Sequence, residues 1–146
     1  AGPVEPPKLL TQSLPVEPGE YLYAGESPES GNFVAIYPDE QTVRSLKPDF
    51  ARLAGMNGRG LAATAPGQDC DFVSRYFVPS FGIDEDPVTG STHCILAPLW
   101  AARLGKADLL ARQVSRRGGE LRCTVAGSRV LLSGQACLYL EGWIRI

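Results

Sequence analysis

Apolar residues along this chain change period several times, and each change predicts an element. Residues 21–23 and 33–37 are short aromatic and apolar runs flanking a loop rich in Gly, Ser, Pro and Glu, the pattern of two strands. Asp39 is placed to cap a short helix that runs to Leu46 and is stopped by Pro48, and Asp49 begins another short turn that ends at Gly55. Residues 60–65 and 72–78 read as strands. In the second, apolar side chains fall on both faces, as in a strand covered on both sides. A helix is expected over residues 91–104, ended by Gly105. Four further strands follow at 109–115, 120–125, 129–132 and 136–144, with turns at Gly118-Gly119 and Ala126-Gly127-Ser128.

The helix differs from an ordinary surface helix. Cys94, Ile95, Leu96, Ala97, Leu99, Trp100, Ala101, Ala102 and Leu104 leave almost no polar face before Arg103. A helix apolar nearly all round calls for burial, with Pro98 tolerated near its N-terminal turn. The expected fold class is therefore α/β (α+β): a curved, mixed, mostly antiparallel sheet wrapped around a central buried helix. Residues 1–19 hold Pro3, Pro6, Pro7, Pro15 and Pro18 and read as an extended connector, leaving residues 20–146 as a single domain. The opening suggests that another segment once preceded it. No internal repeat is visible.

Composition narrows the function. An apolar fraction of 44% over 146 residues suits one globular core. Net charge is −2 with a pI of about 5.4, and no basic stripe occurs, so a nucleic-acid partner is not expected. No apolar run reaches membrane-spanning length, so no membrane partner is expected, and the N-terminus lacks the pattern of a secretory signal. Cys70, Cys94, Cys123 and Cys137 show no C-x-x-C spacing and the chain has one histidine, so neither a zinc site nor another metal site is expected. Three of these cysteines lie among apolar or β-branched residues and read as small buried hydrophobes, which fits reduced thiols and a cytoplasmic location.

Chemistry concentrates in Gly82-Ile83-Asp84-Glu85-Asp86-Pro87-Val88-Thr89-Gly90-Ser91-Thr92-His93-Cys94. The segment places acids and a proline immediately before a helix start, where free N–H groups and the positive end of the helix dipole attract a carboxylate or phosphate. Thr89 or Ser91 could equally serve as a simple cap. Asp86 is held out of the helix by Pro87 and can turn toward the same pocket, there to orient a substrate or pass a proton. Asp84 and Glu85 read as solvated loop acids. His93 is a possible proton carrier, though a bonded structural role suits the first turn of a buried helix better; Cys94 reads as a buried thiol. A second constellation, Arg116-Arg117-Gly118-Gly119-Glu120, could grip an anion through Arg116 or form a charged hairpin tip.

These residues carry a resemblance. Residues 71–77, Pro79 with Gly82, the run Glu85 to Cys94, Leu96-Ala97-Pro98-Leu99-Trp100-Ala101, Leu104-Gly105-Lys106, Gln113-Val114-Ser115-Arg116-Arg117-Gly118-Gly119-Glu120-Leu121, Leu131 with Ser133-Gly134, and Leu140-Glu141-Gly142 resemble the PhzF-like (phenazine biosynthesis-like) isomerases of the diaminopimelate epimerase-like fold. The likeness runs from about residue 60 to the end. It implies two similar halves, each a curved sheet about a helix, with the active site between them; this chain resembles the C-terminal half. It also implies that Asp86 contacts substrate, that Gly90, Ser91 and Thr92 hold its carboxylate, and that a proton-shuttling glutamate belongs to the other half. The related epimerases use a cysteine pair; Ser91 stands near where the second thiol would be, which disfavours that mechanism.

The expectation is a cofactor-independent isomerase that shifts a proton on a small carboxylic acid, incomplete without an N-terminal half. His93 and Arg116 would be accessory. Its partners would be the small carboxylate and either a second copy, as a homodimer, or the missing half. The competing expectation is a binding or interaction module that keeps the fold without the chemistry.

Overall fold

Asp39 and Asp49 start the two short helices as expected, because each carboxylate accepts an N–H three residues on: Thr42 at 2.7 Å and Arg52 at 3.1 Å. The computed structural model describes residues 1–27 and 30–145. In chain order its elements are β1 (Gly2–Pro3), α1 (Lys8–Thr11), β2 (Glu20–Ser27), β3 (Ser30–Ile36), α2 (Glu40–Ser45), α3 (Phe50–Leu53), β4 (Arg59–Pro66), β5 (Phe72–Val78), β6 (Ile83–Asp86), α4 (Gly90–Leu104), β7 (Asp108–Gln113), β8 (Gly119–Ala126) and β9 (Arg129–Ser133). Single turns of 3-10 helix follow α3 and β5. Part of the loop joining β2 to β3 lies outside the described residues.

The strands form one sheet in the order β1-β2-β3-β4-β5-β7-β8-β9. Pairing is parallel for β3 with β4 and for β5 with β7, and antiparallel elsewhere, which is the expected mixed, mostly antiparallel sheet. Strand β5 divides one edge between two partners: Phe72–Ser74 pairs with β7, and Tyr76–Val78 pairs with β6. The candidate loop therefore leaves the sheet where β6 and β7 diverge.

Alternation along β4 and β5 sends side chains to two cores. Val34, Ala62, Phe72, Tyr76 and Val78 face α4 and meet Leu96, Ala97 and Trp100. Phe33, Leu61, Ala63, Val73 and Phe77 face the opposite side and pack with Leu10, Val43, Leu46 and Met56. Residues 1–19, expected as an extended connector, are packed: β1 pairs with β2, and Leu10 is fully buried. The prolines limit regular structure there without preventing burial of the apolar residues between them.

Two hydroxyls on paired positions of β4 and β5 tie α4 to the sheet. Thr64 accepts from the Trp100 indole at 3.0 Å while donating to the Val73 carbonyl. Ser74, its register partner, lies 3.4 Å from His93 Nε2. The sheet stays open and covers one side of the helix. Thr92, His93, Leu96, Ala97 and Trp100 are buried, whereas Ser91, Cys94, Pro98 and Ala102 are exposed on the other face. Pro98 falls in the middle of the helix rather than near its first turn, and its exposed position spares the buried face.

Residues 136–144, expected as a strand, adopt no regular structure. Leu138, Tyr139, Leu140, Trp143 and Ile144 are each at least 79% exposed. The segment has strand composition but no strand beside it to complete its hydrogen bonds.

Candidate functional site

The register of β6 decides which acid reaches the helix start. Asp86 is paired with Tyr76, whose side chain faces α4, so Asp86 belongs to that face. Glu85 is paired with Phe77 and belongs to the opposite one. Of the two acids expected to be solvated, Asp84 is exposed, but Glu85 is not: it forms an ion pair with Arg75 at 2.8 Å.

Asp86 meets α4 through Thr89. The Thr89 hydroxyl donates to Asp86 Oδ2 at 2.5 Å. Thr89 occupies the N-cap position, yet its hydroxyl makes no cap bond: it donates to Asp86 and accepts from Gln113 instead. The first-turn N–H groups of α4 are thus left without the side-chain acceptor that an N-cap Thr ordinarily offers. Gly90 and Ser91 are exposed, so the start of the helix is open to solvent, and Thr89 links it to the Asp86 carboxylate. Thr92 points elsewhere: its side chain is fully buried, turned toward the Tyr76 phenol without a well-formed hydrogen bond.

Gln113, at the end of β7, holds the loop from below. Its side-chain amide donates to the Asp86 carbonyl at 2.6 Å and to the Thr89 hydroxyl at 3.1 Å, and its carbonyl accepts the Thr89 N–H at 2.8 Å. It is 1% exposed and uses donors and acceptor alike, as a buried amide must. Ser115 adds a bond to the Pro87 carbonyl at 2.7 Å and accepts the Gly118 N–H at 3.0 Å, so the Arg-Arg-Gly-Gly turn is tied to the same loop. Gly119 is required where β8 passes Val88: a Cβ there would come within 2.4 Å of the Val88 side chain. Sequence reading assigned Gln113 no role. Its only local signal is a polar residue on the buried side of a strand, and its partners lie 24 and 27 positions away.

His93 is structural in this arrangement. Its Nδ1 lies 2.7 Å from the Thr89 carbonyl and so carries the proton, leaving Nε2 to accept from Ser74. Burial pushes its pKa below the ordinary value of 6.5, against the opposing pull of the Thr89 carbonyl. Tyr76 is shifted the other way: burial raises its pKa, the Thr92 hydroxyl opposes this, and the charge of Asp86 adds to it. Its phenol donates to Asn32 Oδ1 at 2.5 Å. The ring reaches Asn32 across Gly60, where a Cβ would come within 2.2 Å of the phenol oxygen.

Arg116 and Arg117 are exposed and line an open cavity of about 410 Å³ with Glu85, Pro87 and Ser115, beside the loop. Cys94, expected to be buried, is exposed because it lies on the uncovered face of α4; Cys137 is exposed too, Cys70 is half-buried, and Cys123 alone is buried. Among the described residues, no three His, Cys, Asp or Glu side chains gather as a metal site would require. No described helix is long and apolar enough to cross a membrane.

The chain matches the phenazine biosynthesis-like protein family over residues 19–142. It is 45% identical over 144 residues to a Pseudomonas aeruginosa protein named as an uncharacterized isomerase, covering 99% of this chain and 53% of that protein. A mouse phenazine biosynthesis-like domain-containing protein is 47% identical over 130 residues, covering 80% of this chain and 45% of its own length. Among solved structures, a PhzF-family protein of Enterococcus faecalis superposes with a TM-score of 0.85 at 38% identity, covering 95% of this chain and 52% of that one. A putative PhzC/PhzF protein of Clostridium difficile gives 0.82 at 35% identity, covering 99% and 54%. The chain therefore spans about half the length of the relatives it matches.

Proposed function

The chain belongs to the phenazine biosynthesis-like family, and from that membership we propose that it forms one wall of the active site of an isomerase acting on a small carboxylic acid without a cofactor. The observation that carries the reading is an exposed helix start with no side-chain cap, joined through the Thr89 hydroxyl to the Asp86 carboxylate. The N–H groups of Gly90, Ser91 and Thr92 hold the substrate carboxylate there. Asp86 orients the substrate and exchanges a proton with it. A C–H bond breaks, its electron pair moves into the conjugated acid, and the same N–H groups stabilise the enolate-like charge until a proton returns to another carbon or face.

The second proton-transfer group is supplied by the other half of the protein or by a second copy, packed on the open side of α4. Relatives twice as long support this, as do two named as isomerases. Deuterium uptake tests it. With the companion half present, a small unsaturated or α-substituted acid gains deuterium from D2O, and Asp86→Asn lowers the rate by about 10²-fold or more. Equal exchange by the Asn variant overturns the role of Asp86. Anion binding with no exchange at any protein concentration identifies a binding module instead.

A further inference from the structure

Three acids in succession, Asp84, Glu85 and Asp86, precede Pro87, and alternation along a strand can present only one parity to the helix start. Pairing runs Tyr76 with Asp86, Phe77 with Glu85, and then Val78 with Ile83, so Asp84 is the extra residue of a bulge. A slip by one position would bring Glu85 opposite Tyr76 and turn Asp86 away. Local sequence offers no preference between the two registers, since each places an acid on each face.

Arg75 separates them. It neighbours Tyr76 and so projects from the opposite face of β5, where its guanidinium donates to both Glu85 oxygens, from Nε at 2.8 Å and from Nη2 at 2.9 Å. Its Nη1 donates to the carbonyls of Val43, Arg44 and Leu46 at 3.3, 3.4 and 2.7 Å, at the C-terminal end of α2. The Phe77 ring lies beneath it, 4.8 Å away. Arg75 and Glu85 keep only 12% and 17% of their side-chain surface exposed. The fork is thus held in place before Glu85 meets it, and it is matched to a carboxylate at glutamate reach. In the slipped register the fork would face Asp84 or Asp86, each one methylene shorter.

We infer that the Arg75–Glu85 pair is a register lock, a positioning device that turns Asp86 rather than Glu85 toward the start of α4. The inference rests on Asp86 being the working carboxylate, but its test does not depend on activity. Glu85→Gln is made alone and with Arg75→Met, which removes the charge that the single change leaves unpaired. Amide exchange and cross-strand nuclear Overhauser contacts are read on the full chain by NMR. In both variants β6 amides lose about tenfold or more of their protection relative to β7 and β8, and the Tyr76–Asp86 contacts give way while α4 signals remain. Native β6 protection and intact Tyr76–Asp86 contacts in the double variant overturn the lock. Asp86→Asn serves as the reference: it keeps the pairing whatever it does to deuterium uptake, so a failed lock and a failed assignment of Asp86 give different results.

Discussion

Thr89 joins the acid, the helix and the strand below. Its hydroxyl donates to Asp86 and accepts from Gln113, its N–H donates to Gln113, and its carbonyl receives the His93 ring. Thr89→Val keeps the shape but removes the hydroxyl, leaving the buried Gln113 amide short of an acceptor and Asp86 without its donor. Stability should fall by about 1–3 kcal/mol in urea titration, and Thr89→Ser should recover most of it. Asp86 and the helix start were legible in the sequence because their relation is local, three positions apart. Glu85 and Gln113 were not: their partners, Arg75 and the Asp86–Thr89 loop, lie 10 to 27 positions away and only the sheet brings them together.

At the scale of the element, α4 shows what periodicity can and cannot say. Its extent was legible to a residue, expected from Ser91 and observed from Gly90, because Gly105 and the apolar run bound it. Its all-round apolarity was read as full burial, yet one face is uncovered. Apolar composition records what a face can be packed against, not whether this chain contains the cover. His93 gives the helix a pH dependence. Its folded pKa is depressed, so below the ordinary value of 6.5 the unfolded chain takes up a proton that the folded form resists. The neutral, buried ring therefore contributes fully above that pH, and its contribution falls as pH drops, by at most about 1.4 kcal/mol per unit until the folded pKa is passed. Urea midpoints at pH 7.5 and 5.5 should show the native chain losing more stability than His93→Gln. Parallel losses would mean that His93 does not set this part of the acid limb; the depressed Glu40 and Asp71 carboxylates act only lower, as pH falls toward and below their ordinary values of 4.5 and 3.8.

For the whole molecule, the mixed sheet was legible from the apolar helix that called for one, and the covering of both faces of β5 from its own apolar residues. The division into two cores was not, since composition was read as suiting a single core. The last expected strand failed because a strand, unlike a helix, depends on a neighbour for its backbone bonds. Leu138, Tyr139, Leu140, Trp143 and Ile144 lie exposed in that segment, with Leu104 and Leu131 also exposed near the open side of α4 and on β9. Exposed apolar side chains concentrated in one segment are suited to contact with another chain. Light scattering during gel filtration should find the isolated chain associating as its concentration rises. Truncation after Gln135 should reduce that association and dye binding, while changing unfolding stability by less than about 1 kcal/mol, since the removed side chains are exposed. A strictly monomeric chain at all concentrations would contradict this.

The two bonds from Thr64 and Ser74 to Trp100 and His93 have a further consequence, for how accurately α4 is placed. Apolar ridges alone would let a helix creep along a sheet by one turn, about 5.4 Å, and find similar neighbours. Such a shift here would strand an indole N–H and an imidazole nitrogen in a dry interior, at about 1–3 kcal/mol each, so the displaced arrangement would be on the order of a thousandfold rarer. Because the anchors lie two turns apart on one helix and on paired residues of two strands, they fix rotation as well as travel. On the proposed function, a carboxylate arriving at Gly90 and Ser91 would meet a helix start already held in place, with less freedom of the helix to be lost on binding.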